Sequence, residues 1–194
     1  MSLNETNNKA VDDWEGFYEE LQNETPRAAV LIAASFLDEW LRRLLQAKMI
    51  DDSKAVKALL DDSNNGPLSF FSARINAAYC LGLLSKDERD DLNLIRKIRN
   101  RFAHRLHGFT FDEQEIKDWC MSLALPHSIV SALPDFPKDH RSRFLLGVSL
   151  LASRLSLRTI SETDRLSPAS RPTKTSISLE KRPCGTVGSK QEPS

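Results

Sequence analysis

Apolar residues recur at helical spacing over most of the first 158 positions of this chain. Val11, Trp14, Phe17, Tyr18 and Leu21 fall on one side of a 3.6-residue turn, which predicts a first amphipathic helix. Thr25-Pro26 reads as a helix start: a threonine hydroxyl caps well, and proline has no N–H to lose at the first helical position. The helix it opens carries Ala29, Ile32, Ala33, Phe36, Leu37, Trp40, Leu41 and Leu44. That apolar face is the broadest in the chain, so this helix is expected at the centre of the fold. A short helix is predicted from Ser53 to Leu60, then a turn at Asn64-Asn65-Gly66-Pro67. Phe71, Ile75, Ala78 and Tyr79 mark the next helix, closed near Gly82. Ser85-Lys86-Asp87-Glu88 is a capping box, opening a helix with acids in its first turn and bases in its last. Phe111 and Ile116 predict a hydrophobic staple around Asp112, with Glu115 at the capping-box position. Ile116, Trp119, Cys120 and Leu123 carry that helix on to Pro126, and Phe144, Leu145, Val148, Leu151 and Leu155 predict a last one from about Asp139 to Leu157. No stretch alternates at the period of a strand. The pattern predicts an all-α chain, a single irregular bundle of about six to seven helices over residues 1–158.

Composition sharpens this picture. From residue 159 to 194 the chain turns to Ser, Thr, Pro, Lys and Arg, too few apolar side chains to offset ordering entropy, and a disordered tail is expected. Hydrophobic residues make up 40% of the chain, enough for a core, and 27 Lys and Arg balance 27 Asp and Glu. With no net field, any binding to nucleic acid or an anionic membrane must come from a local patch. No apolar run approaches the ~20 residues of a membrane span, and Met1 to Val11 lacks the layout of a signal peptide. A cytoplasmic protein without membrane contact is expected. Cys80, Cys120 and Cys184 are isolated, forming neither a disulfide framework nor a CxxC pair, so neither metal nor cofactor is expected. Cys80 and Cys120 occupy apolar helical positions and read as small core residues. Ser69 or Ser72 reads as a helix cap, with Arg74 facing solvent.

The most unusual stretch runs from Ile95 to His107. It holds Arg96, Lys97, Arg99, Arg101, Arg105, His104 and His107, and no acid. Ile95, Ile98 and Phe102 keep one side of its helix apolar. Two readings stand. Cations at a helix C-terminus are favoured by the dipole and can simply pair with nearby acids. Alternatively, Arg forks suit phosphate oxygens and a histidine near neutrality can move a proton. On that reading His104 would activate a 2′-hydroxyl and Arg99 would steady the phosphoryl charge, a metal-free kit for cutting RNA. Arg96, Lys97, Arg101, Arg105 and His107 would then contact nucleic acid or a partner. Asp38 and Glu39, set within the apolar central helix, are expected in structural ion pairs with Arg96 or Arg99 as partner; the alternative makes one an orienting carboxylate for His104. No helix-turn-helix is evident, because the basic helix carries its cations at the C-terminal end, whereas recognition helices read bases from N-terminal residues.

Two stretches, Ala28 through Glu39 and Leu68 through Ile75, resemble the mannitol operon repressor family. Tyr79, Leu81-Gly82-Leu83, Ile95 through His104, Phe109, Phe111-Asp112 and Arg143-Phe144-Leu145 extend the resemblance over about residues 10–157. It implies an all-helical transcriptional regulator of sugar-alcohol uptake genes, and an enzyme is the less favoured reading, left open. Such a regulator acts through protein partners, a DNA-binding regulator among them, rather than by a DNA-binding motif of its own. Arg99-Asn100-Arg101-Phe102-Ala103-His104 also matches the Arg-Asn-x-x-x-His motif of HEPN domains, helical and often dimeric, many of them metal-independent ribonucleases or inactive RNA-binding relatives. By that resemblance Arg99 would hold the scissile phosphate, Asn100 would orient the helix and His104 would act as acid or base, two copies meeting across a homodimer. A regulator working through partners is therefore the first expectation, a HEPN-like ribonuclease or RNA-binding protein the second, and a structural adaptor the third.

Overall fold

A computed structural model describes residues 18–61, 65–105, 108–131, 139–161 and 166, and every regular element among them is helical. Residues 18–23 form α1. The remaining helices are α2 (Pro26–Lys48), α3 (Ser53–Leu60), α4 (Phe71–Cys80), α5 (Lys86–His104), α6 (Gln114–Met121), α7 (Ala124–Val130) and α8 (His140–Ser161). Val11, Trp14, Phe17, Asn64, His107 and Cys184 lie outside the described residues, as does the expected tail beyond Ser161 apart from Leu166.

Several helix ends are fixed by the residues that predicted them. Thr25 Oγ1 accepts the Ala28 N–H at 3.3 Å, with Pro26 in the first turn. At α5 the capping box is complete: Ser85 Oγ accepts the Glu88 N–H at 3.2 Å, and Glu88 Oε2 accepts the Ser85 N–H at 2.8 Å. Gly82, at φ 72°, ends α4 with the Gly82 N–H on Tyr79 O at 3.0 Å and the Leu83 N–H on Ala78 O at 2.9 Å. These are the two hydrogen bonds of a left-handed C-terminal cap.

Elsewhere tertiary contacts overrule the local signal. Asp112 does not cap α6; the cap position is Glu113, with no side-chain bond, and Glu115 turns to Arg101 instead. Nor does a serine cap α4, whose cap position is Phe70. The helix expected to run on to Pro126 stops at Met121, and α7 begins after Leu123 with Pro126 in its first turn, where no intrahelical N–H bond is needed. The donors at its start are satisfied from a distance: Asp91 accepts the Ala124 and Leu125 N–H groups at 2.8 and 2.9 Å. Buried Arg143 closes the end of α6, donating to Cys120 O at 2.9 Å and Met121 O at 3.2 Å. This split is why eight helical segments appear among the described residues where six or seven were expected.

The core is centred on α2, which packs against α4, α5 and α8. Its Ala29, Val30, Ala33, Leu37, Leu41, Leu44 and Leu45 are fully buried. From α8 come Phe144, Val148, Leu151 and Leu155. Phe102, Phe109, Phe111 and Phe144 chain their rings at centroid spacings of 4.9, 5.4 and 5.5 Å. A Cβ on Gly147 would come within 3.2 Å of both Leu123 and Pro126, so the glycine lets α7 lie close on α8. An 18-residue window of α8 has a mean hydropathy of 1.3, so by length and composition alone this helix could cross a membrane, a test that the core helix of a folded bundle passes too. Its core-facing residues account for only part of that apolarity.

Glu88 ties the start of α5 to the end of α8. Its carboxylate is buried and receives both Arg158 terminal nitrogens at 2.9 Å, with Arg154 at 3.5 Å. Burial alone would push this carboxyl up, but the Arg158 bonds and the Ser85 N–H outweigh it, and it sits below its ordinary value of 4.5. A depressed carboxyl contributes stability above the unfolded-state value and loses it as pH falls through the folded value. Glu88→Gln should lower unfolding free energy in urea at neutral pH by about 3 kcal/mol. That deficit should shrink as the pH is taken below 4.5.

Candidate functional site

The last turns of α5 hold the basic stretch in a fixed frame. Ile95, Ile98 and Phe102 are buried, which turns Lys97, Arg99 and His104 outward. The free carbonyls at the helix end are met from α2: Arg27 donates to Ala103 O and Arg105 O, each at 3.1 Å. Arg101 Nε donates to Glu115 Oε2 at 2.6 Å, tying α5 to α6. The Arg105 guanidinium stands 5.9 Å from the centre of the Phe109 ring, and Arg99 donates to Asn100 Oδ1 at 3.0 Å. Arg96 is half-buried, and its Nε is buried without a hydrogen-bond partner among the described residues.

The seven cationic or titratable positions of the stretch thus separate. Arg101 is engaged by an acid, Arg96 is half-buried, and His107 lies outside the described residues. Lys97, Arg99, His104 and Arg105 are exposed and make no ion pair among the described residues. Arg99 and His104 are five positions apart, so their side chains leave the helix roughly 140° apart. They line neither of two surface depressions among the described residues. One, of about 600 Å³, is lined by residues including Arg42, Gln46, Asp51, Lys57 and Asp61. The other is formed by Leu31, Ile32, Ser35 and Phe36 on α2. What the open end of α5 offers chemically is a cluster of exposed donors for an anionic surface.

The carboxylates of α2 have partners other than those expected. Asp38 Oδ1 lies 2.9 Å from Nη1 of Arg74, not beside Arg96 or Arg99. Arg74, expected at the surface, is buried and also donates to Leu60 O at 3.3 Å. The signal was present: Arg74 stands four positions before Ala78, on the apolar side of α4. Glu39 is bound by Arg42 through both oxygens at 2.7 and 2.8 Å, and by Arg43 at 2.7 Å. The Arg42 hydrogen bonds hold its carboxyl down at about 2, against the pull of partial burial. Both acids thus meet arginines of α2 and α4. Cys80 is exposed rather than in the core, whereas Cys120 is buried and its thiol is pushed up to about 12 by burial.

Short helices do follow one another at α6 and α7. The second, Ala-Leu-Pro-His-Ser-Ile-Val, has neither Lys nor Arg, and Asp91 occupies its N-terminus. It is not a basic, exposed recognition helix. Among the described residues no group of three or more His, Cys, Asp or Glu could hold a metal ion.

An all-helical bundle with an open cationic helix end defines a class of scaffold rather than a reaction. The family model for the mannitol repressor matches residues 15–158, and the chain belongs to that family. It is 32% identical over 96 residues to the mannitol operon repressor of Escherichia coli strain K12, covering 47% of this chain and 48% of the relative. The mannitol operon repressor of Escherichia coli O6:H1 gives the same identity and coverage. The chain thus spans about half the length of the curated relatives it matches. Among solved structures, a chain of the MtlR–HPr complex from Escherichia coli superposes with a TM-score of 0.58 at 23% identity, covering 74% of this chain and 98% of that one. A possible transcriptional regulator, YggD from Shigella flexneri 2a, superposes with a TM-score of 0.51 at 16% identity, covering 78% and 96%. These two likenesses show the fold.

Arg27→Ala removes both donors from the end of α5. Amide hydrogen exchange should speed up over the last turn of α5 while the core stays protected. Global stability should fall by only about 1 kcal/mol, the scale of exposed hydrogen bonds.

Proposed function

We propose that this chain is a cytoplasmic transcriptional regulator of the mannitol-repressor type that works through protein partners and does not read DNA with a motif of its own. The family match across residues 15–158 carries this reading. Two features support it: the second helix of the α6–α7 pair lacks the cations of a recognition helix, and the fold resembles a chain of a complex between MtlR and HPr. A protein of the HPr kind is thus the first partner to test. A DNA-binding regulator would connect the chain to its promoter, and a second copy of the chain completes the assembly. Lys97, Arg99, His104 and Arg105 would contact the partner, through an acidic or phosphate-bearing patch on its side.

Titration calorimetry with purified HPr should show saturable binding that weakens as salt is raised. The double variant Lys97→Glu, Arg99→Glu should weaken it at least about tenfold, since like charges then face each other. Tight, sequence-specific binding of operator DNA by the protein alone would overturn the proposal, and so would an absence of HPr binding by the folded chain.

One observation favours a second reading, contact with RNA: Arg99 and His104 are both exposed and free of acids. Labelled RNA incubated with the protein in chelator separates the two. The first reading expects intact RNA, whereas cleavage that disappears in His104→Ala would favour the second.

A further inference from the structure

Lys97, Arg101 and Arg105 follow one another four residues apart, so they form a row of cations down the last turns of α5 to its cap. The middle one is occupied. Arg101 Nε donates to Glu115 Oε2 at 2.6 Å, whereas no acid meets Lys97 or Arg105 among the described residues. Glu115 comes from α6, so the row already holds one carboxylate offered by the side of a helix. That helix has other fastenings. Ile116 and Cys120 are fully buried, and buried Arg143 closes its end through Cys120 O and Met121 O. The Arg101–Glu115 pair itself lies open, with side chains 42% and 41% exposed. An ion pair so open to water adds little to stability.

Two effects of Glu115 on docking oppose each other. As a strut, it would steady the end of α5 and help a partner to bind. As an acid, it cancels one charge of the row and holds the guanidinium that a partner's carboxylate would take. The end of α5 is steadied without it, because Arg27 donates to Ala103 O and Arg105 O. Occupation therefore outweighs support. An incoming carboxylate makes the same kind of bond as the one it displaces, so the exchange loses little. A partner with several acids also gains Lys97 and Arg105, which the single carboxylate of Glu115 leaves unpaired.

We propose that Glu115 is a built-in competitor for this surface, displaced when a protein partner lays acidic side chains of its own on Lys97, Arg101 and Arg105. This rests on the docking reading given under the proposed function and adds what restrains it. Calorimetry on the full chain tests it with two probes, purified HPr and a short polyglutamate peptide. Glu115→Gln should bind both about fivefold more tightly than the wild type. Glu113→Gln removes the same charge two residues away, at an exposed acid that makes no side-chain cap bond, and should gain less than about twofold. In an Arg101→Gln background, Glu115→Gln should gain no more than Glu113→Gln does. Binding by Glu115→Gln equal to or weaker than that of the wild type would sink the competitor and leave docking standing. A gain that persists without Arg101 would do the same. If neither the wild type nor Glu115→Gln bound either probe, docking and competitor would fall together. A sharp fall in the urea midpoint of Glu115→Gln would show the pair to be a structural tie, which also overturns the proposal.

Discussion

Burial of α2 is the constraint on which the other elements depend. Its buried positions include the small Ala29, Ala33 and Ala34 as well as Leu37, Leu41, Leu44 and Leu45. The alanines let neighbouring helices approach closely at the N-terminal half, while the leucines fill the wider space further along. Because α4, α5 and α8 all lean on this one helix, their ends fall where polar groups must find partners across the fold. Arg27 at the start of α2 meets the end of α5 in this way, and Asp38 in its middle meets Arg74 of α4. These contacts follow from the packing order and then lock it, since a polar group left unmet in the interior costs more than its bond contributes.

Long-range polar contacts are also where sequence reasoning runs out. The course of α2, the cap at Thr25, the box at Ser85 and Glu88 and the stop at Gly82 were all legible, because each depends on residues within one turn of one another. The start of α6 was not, because Glu115 pairs across to Arg101 instead of folding back as a cap. The break before α7 was hidden too, since Asp91, more than thirty residues earlier, provides the bonds that allow a new helix to start there. Arg74 was placed outside because an arginine is usually exposed, although its helical position pointed inward.

The basic stretch shows the same division. That cations gather at the end of α5 is plain in the sequence. Which of them are available is not, because availability depends on Glu115, Phe109 and the way α2 crosses the helix end. Two turns of helix therefore hold residues with different work to do: Arg101 binds two helices together, while Lys97, Arg99 and His104 stand in solvent.

Position on the helix also bears on what that end can do. A catalytic pair within one chain needs its base and its phosphate-holding group to converge on one atom. Arg99 and His104 diverge around α5, while Asp38 and Glu39 of α2 meet Arg74, Arg42 and Arg43. Recognition of a charged surface has no such requirement. Cations spread around a helix end can each meet a different anion on a broad partner, and the carbonyl bonds from Arg27 keep the backbone of that end in place while they do so. A distributed cationic surface of this kind fits the docking reading proposed above, whereas the ribonuclease reading would need a second copy to bring His104 of one subunit to Arg99 of the other.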